Sequence, residues 1–324
     1  MSSETITVDQ VLALLSKTQT IALCGHINPD GDAIGSLLAL EAFLKARGHQ
    51  VTKLLAQGSQ PPDLYSFFED YDFVAAVDYD AVPDLFIAVD TPNKERLGDA
   101  IPVFERSAKN LCIDHHPDYT GYASLYFGDA KAAATGLIVW GLITASDTPA
   151  TAAMAKGCYV ALITDTGRFS FQNTNAEVFC AACEMIGVGL NPSELSGLVY
   201  ESQSLASLKL NARLVSRIEF AFDERLVLSW VSEEDFSELG ASRDEAEGMP
   251  TLLRSIKGIE VAVLLRAEKD LVRVNLRAKG AADVGEFARR HGGGGHKAAA
   301  GFTLKTSLDE AKALVLEAAD SLLK

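Results

Sequence analysis

Within seven residues the sequence places His26, Asp30 and Asp32 around Asn28, Pro29 and Gly31. One imidazole and two carboxylates at that spacing suit a divalent cation of hard or borderline character, with Pro29 and Gly31 shaping the backbone between them. Asp30 and Asp32, two residues apart, do not easily point the same way, so each is expected to serve a different ion. The competing reading is a polar turn in which Asp32 caps the next helix. It weakens once Asp90, Asp114-His115-His116 and Asp165 are considered, because each ends an apolar run of its own. The four places together supply five carboxylates and three imidazoles. Acids converging without a cation repel one another and raise their own pKa values, so a counter-charge is required. Two metals sharing one carboxylate would provide it.

A second constellation lies near the end of the chain. Gly292-Gly293-Gly294-Gly295-His296 lacks the Gly-Lys-Ser/Thr ending of a Walker loop. Glycines nevertheless let backbone N–H groups approach an anion, and His296 with Lys297 adds positive potential. The plain alternative is a flexible turn. Arg277, in Val274-Asn275-Leu276-Arg277, offers a fork suited to phosphate, as does Arg168 just past Asp165; a solvated arginine competes with both readings. Residues 250–297 hold ten basic and five acidic side chains, whereas residues 1–190 hold 11 against 23. An acidic front half with a basic patch behind it fits a cation site beside an anion site.

The elements that must carry these groups alternate. Residues 20–24, 51–55, 85–89 and 110–113 read as strands, and 33–47, 132–145, 152–163 and 176–186 as helices, which is the pattern of a parallel sheet covered by helices. Sites in such sheets form outside the carboxyl ends of the strands, where the acidic and imidazole groups fall. After residues 187–192 the alternation stops and 194–215 reads as one helical connection. Beyond it, 218–222 with 226–231 and 261–266 with 271–277 read as hairpins, 283–291 as a helix capped by Asp283, and 308–323 as a closing helix. The expected fold is α/β: a parallel-sheet N-terminal domain at 1–190 with helices on both faces, a helical linker at 191–210, and a smaller α/β domain at 211–324, with a cleft between the two.

The chain has 324 residues, 48% apolar and 23% charged, ample for two cores, and no apolar run approaches the roughly 18 residues of a membrane span. A cytoplasmic, membrane-free protein is expected. The net charge of −15 argues against coating long duplex nucleic acid. Five cysteines fit reduced thiols, and Cys180-x-x-Cys183 reads as two small helix-core residues.

The motifs, taken in order, resemble the DHH phosphoesterases, and among them the two-domain branch of nano-RNases and pAp phosphatases. The matching stretches are HINPDGDAIGS at 26–36, AVD at 88–90, DHH at 114–116, TDTG at 164–167 and GGGGHKAAAG at 292–301, the last in the DHH-associated domain. The resemblance implies that His26, Asp30 and Asp90 hold one Mn²⁺ and that Asp32, Asp90, His115 and Asp165 hold the second, with Mg²⁺ or Co²⁺ as substitutes. Asp90 would bridge ions about 3.5–4 Å apart, a hydroxide between them attacking phosphorus in line. Asp114 would orient an imidazole, and His116 would be the phosphate contact or general acid. Arg277, Gly293, Gly294, Gly295, His296 and Arg168 would grip substrate: a short single-stranded oligoribonucleotide, a dinucleotide such as pApA, or 3'-phosphoadenosine 5'-phosphate (pAp). A homodimer is compatible with this reading. Its rivals are a cyclic-dinucleotide phosphodiesterase, a family II-like pyrophosphatase and, outside the enzymes, a nucleotide- or tRNA-binding module.

Overall fold

Runs such as Thr20–Cys24 and Leu85–Val89 are buried at nearly every position, as strands covered on both faces must be. The computed structural model describes residues 3–323 other than 59 and 247, and divides them into two units, Met1–Ser202 and Gln203–Lys324. The first unit runs β1 (Glu4–Thr5), α1 (Val8–Leu15), β2 (Thr20–Cys24), α2 (Gly31–Ala46), β3 (Gln50–Leu55), β4 (Val74–Ala75), β5 (Leu85–Val89), α3 (Ile101–Arg106), β6 (Lys109–Asp114), β7 (Leu125–Gly128), α4 (Thr135–Thr144), α5 (Ala152–Asp165), α6 (Ala176–Gly187) and α7 (Pro192–Tyr200).

Its seven strands form one parallel sheet in the order β1-β7-β6-β5-β2-β3-β4. Alternate residues of the strands face opposite sides. Ile21, Leu23, Ile87, Val89 and Ile113 pack with α1, α2, α4 and α5 in one core, while Ala22, Cys24, Phe86, Ala88 and Cys112 meet Val103 and Phe104 of α3 in another. The α/β class expected from the sequence is therefore the observed one.

The second unit runs α8 (Leu205–Ser216), β8 (Glu219–Ala221), β9 (Leu226–Ser232), α9 (Glu233–Leu239), α10 (Met249–Arg254), β10 (Val261–Glu268), β11 (Leu271–Ala278), α11 (Val284–Arg290), β12 (Gly294–His296), β13 (Ala299–Leu304) and α12 (Leu308–Ala319). Its six strands lie in the order β12-β13-β11-β10-β9-β8, antiparallel except where β9 meets β10. α11 and α12 cover one face; α8, α9 and α10 cover the other.

Three expectations change locally. The helix over 194–215 breaks into α7 and α8, since Ser204 caps the second of them through Ser207 N–H. Leu195 and Val199 of α7 join the core of the first unit, whereas Leu210 and Leu214 of α8 join that of the second. The helix after the first motif starts at Gly31 and is capped by Asp30, whose Oδ1 accepts from the N–H groups of Asp32 and Ala33, so Asp32 is not the cap. Cys180 and Cys183 are exposed rather than core residues: α6 buries Val178, Ala181, Ala182 and Met185, which turns the two thiols outward with Phe179 and Ile186. Among the described residues no helix is long and apolar enough to cross a membrane.

Candidate metal centre

The carboxyl ends of β2, β5 and β6 lie side by side, because β5 pairs with both neighbours in the sheet. They deliver His26, Asp90 and Asp114-His115-His116 to one edge. Asp90 leaves β5 with φ at +55°, a left-handed conformation that asparagine and aspartate tolerate better than most residues and that aims its carboxylate away from the strand direction.

Two helices bring the remaining acids. α2 and α5 touch through paired glycines: a Cβ on Gly35 would press into the Gly157 carbonyl, and one on Gly157 into the Gly35 carbonyl. Only bare backbones pass so closely. The approach brings Asp32, in the first turn of α2, and Asp165, at the end of α5, to the same imidazole: His115 Nε2 lies 3.4 Å from each carboxylate.

Besides Asp90 with Asp114 and His116, two groups of candidate ligand atoms form at this edge, each within 4.8 Å: His26, Asp30 and Asp90, and Asp32, Asp90 and His115. Asp90 belongs to both. His26 Nε2 stands 3.6 Å from Asp90 Oδ2, and His115 Nε2 stands 3.6 Å from Asp90 Oδ1, so the two carboxylate oxygens face different imidazoles. Asp30 and Asp32 fall into different groups. The imidazoles are oriented by backbone carbonyls, His26 Nδ1 meeting Ile27 O at 2.8 Å and His115 Nδ1 meeting Ala132 O at 3.1 Å, which leaves Nε2 for the centre.

The electrostatics of the protein alone are unfavourable. Burial, then the charge of Asp90, push the Asp32 carboxyl well up, although Thr135 N–H, Gly136 N–H and Ser36 Oγ all donate to it. Burial and Arg96 disfavour a charged His26, yet Asp30 and Asp90 outweigh them and raise it to about 9. Burial opposes ionisation of Asp90 as well; His26, His116 and His115 reverse the sign and hold its carboxyl far below the ordinary range. The crowded acids thus favour protonated histidines, a counter-charge that a divalent cation supplies when imidazoles and carboxylates ligate it instead. Oxygen and imidazole donors in two groups sharing one carboxylate fit a pair of such cations.

Asp114 orients an imidazole, but it is that of His116. Its Oδ1 accepts from His116 Nδ1 at 2.7 Å and from the His116 N–H at 3.1 Å, while Oδ2 is buried without a partner among the described residues. Behind the centre Cys24, Cys112 and Cys158 are fully buried, and burial pushes all three thiols up.

The remaining candidates are more dispersed. Arg168 has φ at +60° and lays its guanidinium 4.5 Å from the Tyr200 ring centroid in the first unit. Arg277 is half-buried on β11, and Gly294, Gly295 and His296 form β12, so the glycine run is partly a strand rather than a loop. The N–H groups of Gly292 and Gly293 close onto the carbonyls of Arg289 and Ala288 and are thereby engaged at the end of α11.

The DHH family model, described as its N-terminal domain, matches residues 20–163, and the DHHA1 domain model matches residues 223–324. The chain is 32% identical over 300 residues to the bifunctional oligoribonuclease and PAP phosphatase NrnA of Thermus thermophilus, covering 92% of this chain and 88% of that one. The chain belongs to the DHH family. With the NrnA of Bacillus subtilis it shares 29% identity over 95% of its length and 96% of the relative's. An exopolyphosphatase-related protein of Bacteroides fragilis has the same fold, with a TM-score of 0.86, 22% identity, and coverage of 97% and 95%. As a DHH phosphoesterase the chain is a hydrolase acting on phosphoester bonds.

Sequence reasoning missed several groups around the DHH centre. Thr135 donates its hydroxyl to Asp90 Oδ1 at 2.8 Å and its N–H to Asp32 Oδ2 at 2.7 Å, and Arg96 places Nη2 3.0 Å from His26 Nδ1. The break before α4 in Ala134-Thr135-Gly136 was the available signal for the first, since a helix start presents free N–H groups to anions. Arg96 had none beyond its charge.

Proposed function

We propose that this chain is a manganese-dependent phosphoesterase that hydrolyses short oligoribonucleotides, dinucleotides such as pApA, and pAp. The observation that carries the reading is the pair of candidate ligand groups sharing Asp90, each oxygen of which faces its own imidazole. His26, Asp30 and Asp90 would hold one cation; Asp32, Asp90, His115 and Asp165 would hold the other. Two divalent cations supply Lewis acidity toward phosphoryl oxygens and lower the pKa of water.

The protein's part is orientation and proton handling. Thr135 and the N-terminal N–H groups of α4 fix the planes of Asp90 and Asp32. Burial disfavours a charged His116, but Asp114 and Asp90 outweigh it and favour the imidazolium, with Nδ1–H given to Asp114. Nε2 can then deliver a proton to the departing nucleoside oxygen. Substrate gripping would fall to Arg277, Gly294, Gly295 and His296 in the second unit and to Arg168 in the first, the N–H groups of Gly292 and Gly293 being engaged at the end of α11. Short substrates are favoured because the relatives whose lengths the chain nearly spans are named oligoribonuclease and PAP phosphatase.

The test is product analysis with added Mn²⁺ on pAp, pApA, a cyclic dinucleotide, pyrophosphate and a long single strand, beside Asp90→Asn. Asn tolerates the left-handed backbone, so the variant should fold while losing turnover on every substrate by a factor on the order of a thousand or more. Release of phosphate from pyrophosphate alone, equal rates on long and short strands, or an active Asp90→Asn would each defeat the proposal.

A further inference from the structure

Arg96 is half-buried in a segment that the fold ties down. Ile27 N–H donates to the Arg96 carbonyl at 2.8 Å, Asp99 N–H donates to Ala56 O at 2.7 Å, and Asn93 Oδ1 accepts the Arg96 N–H at 3.2 Å. Gly98, at φ +49°, packs so closely that a Cβ there would meet Ala56 O and Ile27 Cγ2. Arg96 is therefore not carried on a wandering loop.

Its guanidinium faces an imidazole nitrogen that a backbone carbonyl already engages. Arg96 Nη2 lies 3.0 Å from His26 Nδ1, and the same nitrogen lies 2.8 Å from Ile27 O. The carbonyl needs a hydrogen on Nδ1; the guanidinium, which only donates, needs a lone pair there. One ring nitrogen offers one or the other. When His26 presents the Nε2 lone pair to a cation, the ring hydrogen sits on Nδ1 and goes to Ile27 O. Arg96 then faces an N–H group. Among the described residues it has no carboxylate partner and no other side-chain hydrogen bond. A held, half-buried guanidinium without an anionic partner, beside a candidate centre for anionic substrate, calls for an anion with paired oxygens.

We propose that Arg96 binds a non-bridging phosphate oxygen of the substrate in the first unit. This deepens the proposed function and rests on it. The probe is inorganic phosphate, titrated calorimetrically into the Mn²⁺-saturated full chain for the wild type, Arg96→Gln and Arg96→Lys, with Mn²⁺ affinity measured in parallel. Arg96→Gln should weaken phosphate binding on the order of ten- to a hundredfold. It should raise KM for a dinucleotide by a similar factor while kcat changes less, and leave Mn²⁺ affinity unchanged or tighter. Arg96→Lys, a charge without the fork, should recover only part of the loss. Phosphate affinity in Arg96→Gln equal to that of the wild type overturns the proposal, as does a loss of Mn²⁺ affinity that accounts for the whole effect, which would make Arg96 a positioning residue for His26. If wild type hydrolyses the dinucleotide while either result holds, only this inference falls; if wild type hydrolyses nothing, the functional reading falls and takes it along.

Discussion

Thr135 illustrates how much of the centre depends on groups that need not touch a cation. Its hydroxyl reaches Asp90 and its N–H reaches Asp32, so one residue sets the planes of two carboxylates from opposite candidate groups. Removing only the hydroxyl, as in Thr135→Val, keeps the volume and the backbone donor. Groups that orient ligands are commonly worth about 10- to 100-fold, so steady-state kinetics should show a kcat lowered by roughly tenfold, with Thr135→Ser close to wild type. Asp114 acts likewise on His116: Asp114→Asn can turn its amide donor toward Nδ1, which favours the wrong tautomer. A drop in kcat with an unchanged Mn²⁺ titration is expected there. The acids and imidazoles were legible in the sequence because each sits at the end of an apolar run, where chemistry and position are both readable. Thr135 and Arg96 were not, since their partners are 45 and 70 residues away and no local pattern marks such pairing.

At the scale of elements, the crossing of α2 and α5 fixes the separation of Asp32 from Asp165. Gly35→Ala puts a methyl against the Gly157 carbonyl, which is backbone and cannot swing aside. Overpacking of this kind costs about 1–3 kcal/mol, and calorimetry should show a lowered Tm together with weaker Mn²⁺ binding, although no ligand has been altered. Parallel strands and their order of appearance could be read from composition, but the dependence of the site on a glycine seam could not, because a glycine in a helix looks the same whether or not a backbone lies over it. The same limit applies to Cys180 and Cys183, whose exposure follows from which side of α6 the first core takes. In the second unit Asp235 ties α8 to α9: it is buried, completes the capping box of α9 by accepting from the Ser232 N–H, and accepts from Arg213 and Arg217. Burial raises its pKa, and Arg217, the Ser232 N–H and Arg213 more than reverse this. A folded pKa below the unfolded value of about 3.9 gives stability that is fully present above that pH and is lost as the pH falls through the folded value. Asp235→Asn should therefore cost about 2 kcal/mol near pH 7, allowing for the partly exposed arginines. Urea denaturation should find the gap between variant and wild type closing below about pH 4.

At the scale of the molecule there are two units with cores of their own, and the two ligand groups that share Asp90 with His26 and His115 belong to the first. Ligand binding to the native state alone stabilises by about 2.7 kcal/mol at a hundredfold excess over Kd. Calorimetry with Mn²⁺ should thus move the unfolding of residues 1–202 upward and leave that of residues 203–324 in place, with EDTA reversing the shift; a uniform shift would mean the units unfold together. The burial of three cysteines in the first unit bears on which ions this protein can accept. Thiophilic metals such as cadmium gain most of their advantage from thiolates. Cys24, Cys112 and Cys158 lie in the apolar interior of the first unit, and burial disfavours their thiolate forms. A soft ion offered to the chain would therefore meet mainly oxygen and nitrogen donors.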